Sequence, residues 1–385
     1  MNRMFKTVLF LGIMLAVSML QAAPAKVPAF TLAWSEWPGW SVFGVAHELK
    51  LIDGAVGKLG SLEVQYNIDI VLKEMDYDPC ITAYGSSQVD AACLTNMDTL
   101  PGCLGRKSVA ILPNDTSFGG DMCIVVGIDK LEDLKGKTVY GLEKSVSQYL
   151  FSRNLEMKNI PETDVKWINM DPGAAALAMQ QSNPDYKAIV VWNPFCLQTL
   201  NTRKDAKVLF DSTTIPGEII DLVVVGQDAL DRDGGDRFAQ AVIDAYYKVM
   251  EKLENKDTAD KTLIMIGEKF SNLKLEEMKK VKTGTKYITT AKEAYDFFTS
   301  EKIKETMDKV VNFSLSHQVV DKKPVIGFGT KKVAPADFRF DPSYLAKFTG
   351  NLWPTAPTIT TTEVKAVTGT GETGTTKTTA ETATH

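Results

Sequence analysis

The stretch LAWSEWPGW, Leu32 to Trp40, sets three indoles and a carboxylate within nine residues. Trp34, Trp37 and Trp40 surround Ser35 and Glu36, and Pro38-Gly39 bends the chain between them. Large aromatics in a turn serve either as a plug beneath a loop or as the wall of a pocket. Indole faces attract cations, each contact contributing roughly 0.5–2 kcal/mol depending on desolvation. A neighbouring carboxylate can accept paired N–H donors from a planar cation. Groups of the same kind recur further on. They are Tyr77 between Asp76 and Asp78, Asn96 and Asp98 around Met97, and Ser117 and Asp121 in SFGGD. Ser145, Ser147 and Tyr149 follow in EKSVSQY, then Trp192 and Asn193 in VVWNPF, and Glu218 in IPGEIID. Lys144 is the basic exception in a set dominated by Asp, Glu, Asn and Ser.

The materials of catalysis are sparse. Histidine occurs only as His47, His317 and His385, and His47 reads as a packed or surface residue of a helix. No GxSxG elbow, HExxH pair or Cys-His signature is legible, so no catalytic residue, metal or cofactor is expected. GTGETG (369–374) matches a dinucleotide pattern, but no strand precedes it and no helix follows. LEDLKGKTVYG (131–141) has Leu131 where a phosphate loop needs glycine, and reads as a helical turn stopped at Gly136 before a strand. The five cysteines, Cys80, Cys93, Cys103, Cys123 and Cys196, contain no CxxC pair. Either a Cys93–Cys103 bridge or buried free thiols would fit.

The ends and the charge narrow the class. Arg3 and Lys6 precede the apolar run VLFLGIMLAVSML and an alanine-rich QAAPAK, the pattern of a secretory signal peptide over residues 1–25. No cysteine stands at the end of that run, the first being Cys80, so a freely soluble periplasmic protein is expected rather than a lipid-anchored one, with a eukaryotic secreted protein as the alternative. The formal net charge of −5, without a basic patch, argues against nucleic acid as a partner. From residue 351 the chain is rich in Thr, Gly and Ala, and a disordered tail over 351–385 is expected.

The body must position the candidate residues. AFTLAW (29–34), IDIVLKEM (68–75), VDAACLT (89–95), KSVAILP (107–113) and MCIVVGI (122–128) read as strands. KTVYGL (137–142), DVKWINM (164–170), KAIVVW (187–192), AKVLF (206–210) and DLVVVG (221–226) continue the series. Helical lengths lie between them at 78–87, 145–157 and 172–181. From Asp228 helices take over, opening on an apolar stripe of Phe238, Val242, Tyr246, Val249, Met250 and Leu253. The alternation predicts an α/β protein of two lobes, each a sheet flanked by helices, with the last helices packing back on the first lobe. The expected lobes are 26–126 with 223–350 and, between them, 127–222. The chain is expected to hinge near Val126–Asp129 and Leu222–Gly226.

LAWSEWPGW, ITAYGSSQVDAACLTNMDTL, SFGGDMCIVV, LEDLKGKTVYGLEKSVSQYLF, VVWNPF and FDSTTIPGEIIDLVVV together resemble the periplasmic solute-binding proteins of ABC importers. The resemblance is to the thiamine-precursor, taurine and nitrate-binding superfamily and runs from about Phe30 to Phe348. TNMD, SFGGD, WNP and IPGEIID are similar to a urea- or guanidine-type subgroup. It implies a type II two-lobed fold, a cleft that closes over a small ligand, and an inner-membrane ABC permease as partner of a monomer. Ligands in such sheets sit beyond the carboxyl ends of strands. That makes Trp34, Ser35, Glu36, Trp37, Tyr77, Asp78, Asn96, Asp98, Asp121, Ser145, Ser147, Trp192, Asn193 and Glu218 the expected contacts. Trp34 and Trp192 are expected to form an indole sandwich from opposite lobes. The acid-rich loops favour a guanidine-like cation, then urea, then an aminopyrimidine of the thiamine pathway. A receptor-coupled sensor is an alternative to an importer component. A pyrimidine-synthase-like enzyme is a further one, although its cysteine cluster and histidine are missing here.

Overall fold

The computed structural model describes residues 27–349. The expected signal peptide and Thr-rich tail lie outside the described residues. Strands β1 (Ala29–Trp34), β2 (Asp69–Glu74), β3 (Ala91–Thr95) and β4 (Ser108–Ser117) begin one sheet. The chain then builds a second sheet from β5 (Asp121–Val126), β6 (Thr138–Gly141), β7 (Lys166–Asn169), β8 (Ala188–Trp192) and β9 (Ala206–Asp211). It returns to the first with β10 (Ile220–Gly226), β11 (Thr285–Tyr287), β12 (Ile326–Phe328) and β13 (Phe338–Phe340).

The first sheet has the order β12-β13-β4-β10-β3-β1-β2, with β11 also on β4, and the second β7-β6-β8-β5-β9. Both are mixed. In the first, β10 runs antiparallel between β3 and β4, while β1 is parallel to β2 and β3. In the second, β5 runs antiparallel to β8 and β9. Every residue of β8 and β10 is buried, the mark of interior strands covered on both faces.

The passages between sheets fall at Phe118–Gly120 and at 212–219, earlier on both counts than expected. The strand at 121–126 therefore belongs to the second sheet, not to the first. The sequence misleads because β4 does not stop at Pro113. It continues through the polar letters Asn114, Asp115, Thr116 and Ser117, all of them buried. β11 to β13 have three residues each, too short for a periodic signal. The turn at Leu131–Leu134 does end at Gly136, which adopts φ +72°, before β6. All five cysteines are buried free thiols, so the Cys93–Cys103 bridge is not formed.

The apolar stripe of the helix Gly235–Glu254 lies against the first sheet. Phe238 stacks on Phe30 with centroids 4.8 Å apart and rings 12° from parallel. Both side chains are fully buried. Truncating Phe238→Ala removes that stack and leaves a cavity, and should destabilise the protein by about 3–5 kcal/mol. Urea unfolding followed by circular dichroism should show a lower midpoint at an unchanged slope.

Candidate functional site

Between the two sheets lies a small cavity of about 20 Å³, lined by Trp37, Trp40, Tyr77, Thr95, Asp121, Val146, Trp192, Ile219 and Asp221. Each sits at or near a strand terminus or a helix start. Trp37 and Trp40 follow β1, Tyr77 follows β2 and Thr95 ends β3. From the second sheet, Asp121 opens β5, Val146 opens the helix Val146–Met157, and Trp192 ends β8. Asp221 lies at the start of β10, after the second passage between sheets. Strand register places it between Thr95 of β3 and Asp115 of β4, and pairs Asp121 with Trp192.

Aromatic rings form the walls. Trp40 stacks on Tyr77 at 5.2 Å and 26°, and Tyr77 meets Trp192 edge-on at 5.5 Å and 82°. The Trp192 indole also donates from Nε1 to Glu36 Oε1 at 2.9 Å, tying the two sheets together. Trp37 Nε1 donates to both oxygens of Asp115, at 3.2 and 3.3 Å. Two glycines make that contact sterically possible. A Cβ on Gly39 would stand 1.7 Å from Asp115 Oδ2, and one on Gly120 would stand 2.5 Å from the Trp37 ring.

The electrostatics are those of crowded acids. Asp98, Asp115, Asp121 and Asp221 are all buried. Burial drives Asp121 up to about 7, with the Ser117 hydroxyl pulling back and Asp98 pushing further. Asp98 rises to about 6, again through burial, despite hydrogen bonds from the Tyr77 hydroxyl at 2.8 Å and Thr95 Oγ1 at 2.9 Å. Asp115 and Asp221 share a hydrogen bond, and both are raised, first by burial; in Asp221 the charge of Asp115 adds to it. Burial raises Glu36 too, against the bond from Trp192. Among the described residues, no Lys, Arg or His lines the cavity.

Four of the expected contacts line it: Trp37, Tyr77, Asp121 and Trp192. Glu36 and Asp98 stand one bond behind, on Trp192 and Tyr77. Ser145 caps the helix 146–157, accepting from the Ser147 N–H at 3.2 Å and donating to the Leu142 carbonyl. Ser35, Ser147 and Asn193 are buried near these elements, each with a side-chain oxygen lacking a hydrogen-bond partner. Asn193 also donates its backbone N–H to the Gly120 carbonyl. Asp78 is exposed on its helix, away from the lining.

Trp34, Glu218 and Asn96 also stand outside the lining. Trp34 does not face Trp192. It shares the β1 face of Phe30 and Leu32 by strand alternation. It packs edge-on against Phe270 at 5.1 Å, beside a separate hollow of about 330 Å³ that His47 and Gly54 also line. Glu218 does not line the cavity but anchors an ion network. It accepts from Tyr149 Oη at 2.5 Å, Arg153 Nε at 3.0 Å and Lys309 Nζ at 2.9 Å. Burial pushes it up, but these donors outweigh burial and bring it down to about 2. Asn96 is also structural. Its side chain donates to the Glu218 carbonyl at 3.1 Å and accepts from the Ile220 N–H at 3.2 Å, pinning the return strand.

Trp40, Thr95, Val146, Ile219 and Asp221 were not among the expected contacts. Trp40 was visible in the same turn as Trp37. Asp221 had a signal as well, since an acid opening the apolar run LVVVG must be buried with a purpose or a partner.

No protein-family model and no curated protein matches the sequence. Solved structures do. The alkanesulfonate-binding protein SsuA of Xanthomonas axonopodis pv. citri, bound to MOPS, superposes with a TM-score of 0.62 at 14% identity, covering 78% of this chain and 96% of its own. The periplasmic aliphatic sulphonate-binding protein SsuA of Escherichia coli gives 0.60 at 16% identity, covering 77% and 94%. The periplasmic nitrate-binding protein NrtA of Synechocystis gives 0.54 at 11%, covering 77% and 89%. The chain thus has the periplasmic-binding-protein fold: two mixed sheets flanked by helices.

The raised acids have a consequence for stability. An unfolded aspartate titrates near 3.9, whereas folded Asp121 holds its proton to about 7. The folded state binds more protons through that window, so ligand-free stability should fall as pH rises from about 4 to 7. Asp121→Asn should flatten the decline, as read by thermal melts at several pH values.

Proposed function

We propose that this protein is a periplasmic substrate-binding protein that delivers a small, flat, nitrogen-rich cation, guanidine-like in form, to an ABC importer by lobe closure. The carrying observation is the aromatic cavity bordered by Asp121 and Asp221, from opposite sheets, with no basic residue among its lining. The Xanthomonas and Synechocystis proteins are named for alkanesulfonates and nitrate, which are anions. The chemistry here is of opposite sign. Buried carboxyl groups repel an anion and gain from a cation that lets them ionise.

Size points the same way. One water needs roughly 10–15 Å³ by this measure, so about 20 Å³ suits an occupant of very few heavy atoms once the rings adjust. An aminopyrimidine needs a wider opening and ranks behind. Urea has the right shape but no charge to offset the acids. A four-atom ligand reaching about 1.5 kcal/mol per heavy atom gains about 6 kcal/mol and is bound no tighter than tens of micromolar. The basic start and apolar run of residues 1–25 support export, and a permease of the inner membrane is the partner this function requires. Among the described residues no helix is long and apolar enough to cross a membrane.

Calorimetry with guanidinium, small amines, urea, nitrate and taurine tests the reading. Guanidinium should bind, and a preference for nitrate or taurine would refute it. Affinity for the cation should increase from pH 5.5 to 8 as the lining acids lose their protons, whereas an anion would show the reverse. Trp192→Ala removes a wall and the link to Glu36, and should weaken binding at least about tenfold while circular dichroism stays unchanged.

A further inference from the structure

Asp221 is short of donors. It is 3% exposed, lines the cavity, and its Oδ2 receives no N–H or hydroxyl; its one side-chain partner among the described residues is the carboxyl of Asp115. Its other neighbour in register, Thr95, spends its hydroxyl on Asp98, and Asp115 is itself held by Trp37. A buried carboxyl whose only partner is another acid lacks donors that a ligand N–H would supply. Asp121 lines the same cavity from the other sheet, at the start of β5, and acts electrostatically on Asp221. The rings of Trp40, Tyr77 and Trp192 occupy the remaining walls. The cavity therefore offers carboxyl groups from two lobes and aromatic surface besides.

Building on the proposed cation-binding function, we infer that Asp221 and Asp121 are its specificity-determining residues, a two-sided clamp that takes opposite N–H edges of one planar cation and so joins the lobes through the ligand. A carboxylate accepts two parallel N–H bonds from an amidinium or guanidinium edge. A guanidinium has a second such edge to present to the other lobe. A monoalkylammonium has one compact donor head, and a quaternary ammonium has no N–H. Both can lie against aromatic rings, but neither can satisfy the two acids together. The clamp thus selects by the number and direction of donors, where charge and aromatic contact alone would select any small cation. It also makes closure depend on the ligand, because the two acids approach favourably only with a cation between them.

The test is calorimetry on the exported full-length protein at pH 8, with guanidinium, methylammonium, tetramethylammonium and urea as probes. The variants are Asp221→Asn, Asp121→Asn and, as a surface control, Asp308→Asn. Guanidinium should bind at least about tenfold more tightly than either ammonium ion. Each cavity variant should lose at least about tenfold for guanidinium and far less for methylammonium, whereas Asp308→Asn should change neither. Thermal melts report folding, and the cavity variants should melt no lower than the unaltered protein at this pH. Methylammonium or tetramethylammonium bound as tightly as guanidinium would overturn the clamp while leaving the cation-binding function standing. Unchanged guanidinium affinity in both cavity variants would do the same. Nitrate or taurine bound in place of every cation, in the panel that tests the proposed function, would instead remove the function on which the clamp rests, and binding of none of the four probes would overturn the clamp as well.

Discussion

Asp98, Asp115, Asp121 and Asp221 are buried close enough to raise one another, and like charges in a water-poor space cannot all ionise. Much of the local construction answers to this constraint. Trp37 aims its N–H at Asp115, Tyr77 and Thr95 supply hydroxyls to Asp98, and Ser117 attends Asp121. Gly39 and Gly120 leave room for these approaches. Neutral donors ease the burial of the acids but leave their charge uncompensated. The remaining demand for positive charge is what a ligand of the proposed kind meets.

Glu218 shows how differently the same chemistry turns out when a protein supplies its own cations. It lies beside the passage between sheets and receives Arg153, Lys309 and Tyr149 at once, so its carboxyl falls to about 2 while the cavity acids rise. Asn96 holds the adjoining backbone. The return passage is therefore braced on one side by a satisfied ion network and opens on the other, at Ile219 and Asp221, into the unsatisfied cavity. The ion-paired Glu218 and the cavity-lining Asp221 sit three residues apart in the chain.

Much of the architecture could be read in advance because the strands of both sheets are short apolar runs. β1 coincides with AFTLAW, and the stripe from Phe238 to Leu253 is the buried face of the long helix. The passages between sheets could not be read as well. Asn114 to Ser117 look like a loop by composition, yet they are buried strand, with Asp115 to Ser117 paired to β10 or β11. Of the three tryptophans in the opening stretch, Trp34 obeys the pleat of β1 and faces the helical layer, while Trp37 and Trp40, beyond the strand, turn into the cleft.

The sequence by itself determined the alternation of strands and helices and the aromatic and acidic character of the loops. These depend on local periodicity and residue type. Only the tertiary structure decided which acids meet. Asp221 finds Asp115 through the register of β10 against β4, Trp192 finds Glu36 and Tyr77 across two sheets, and Glu218 is drawn away by Arg153 and Lys309. Contacts between residues tens to more than a hundred positions apart are set by how sheets pair and pack, and no local pattern encodes them.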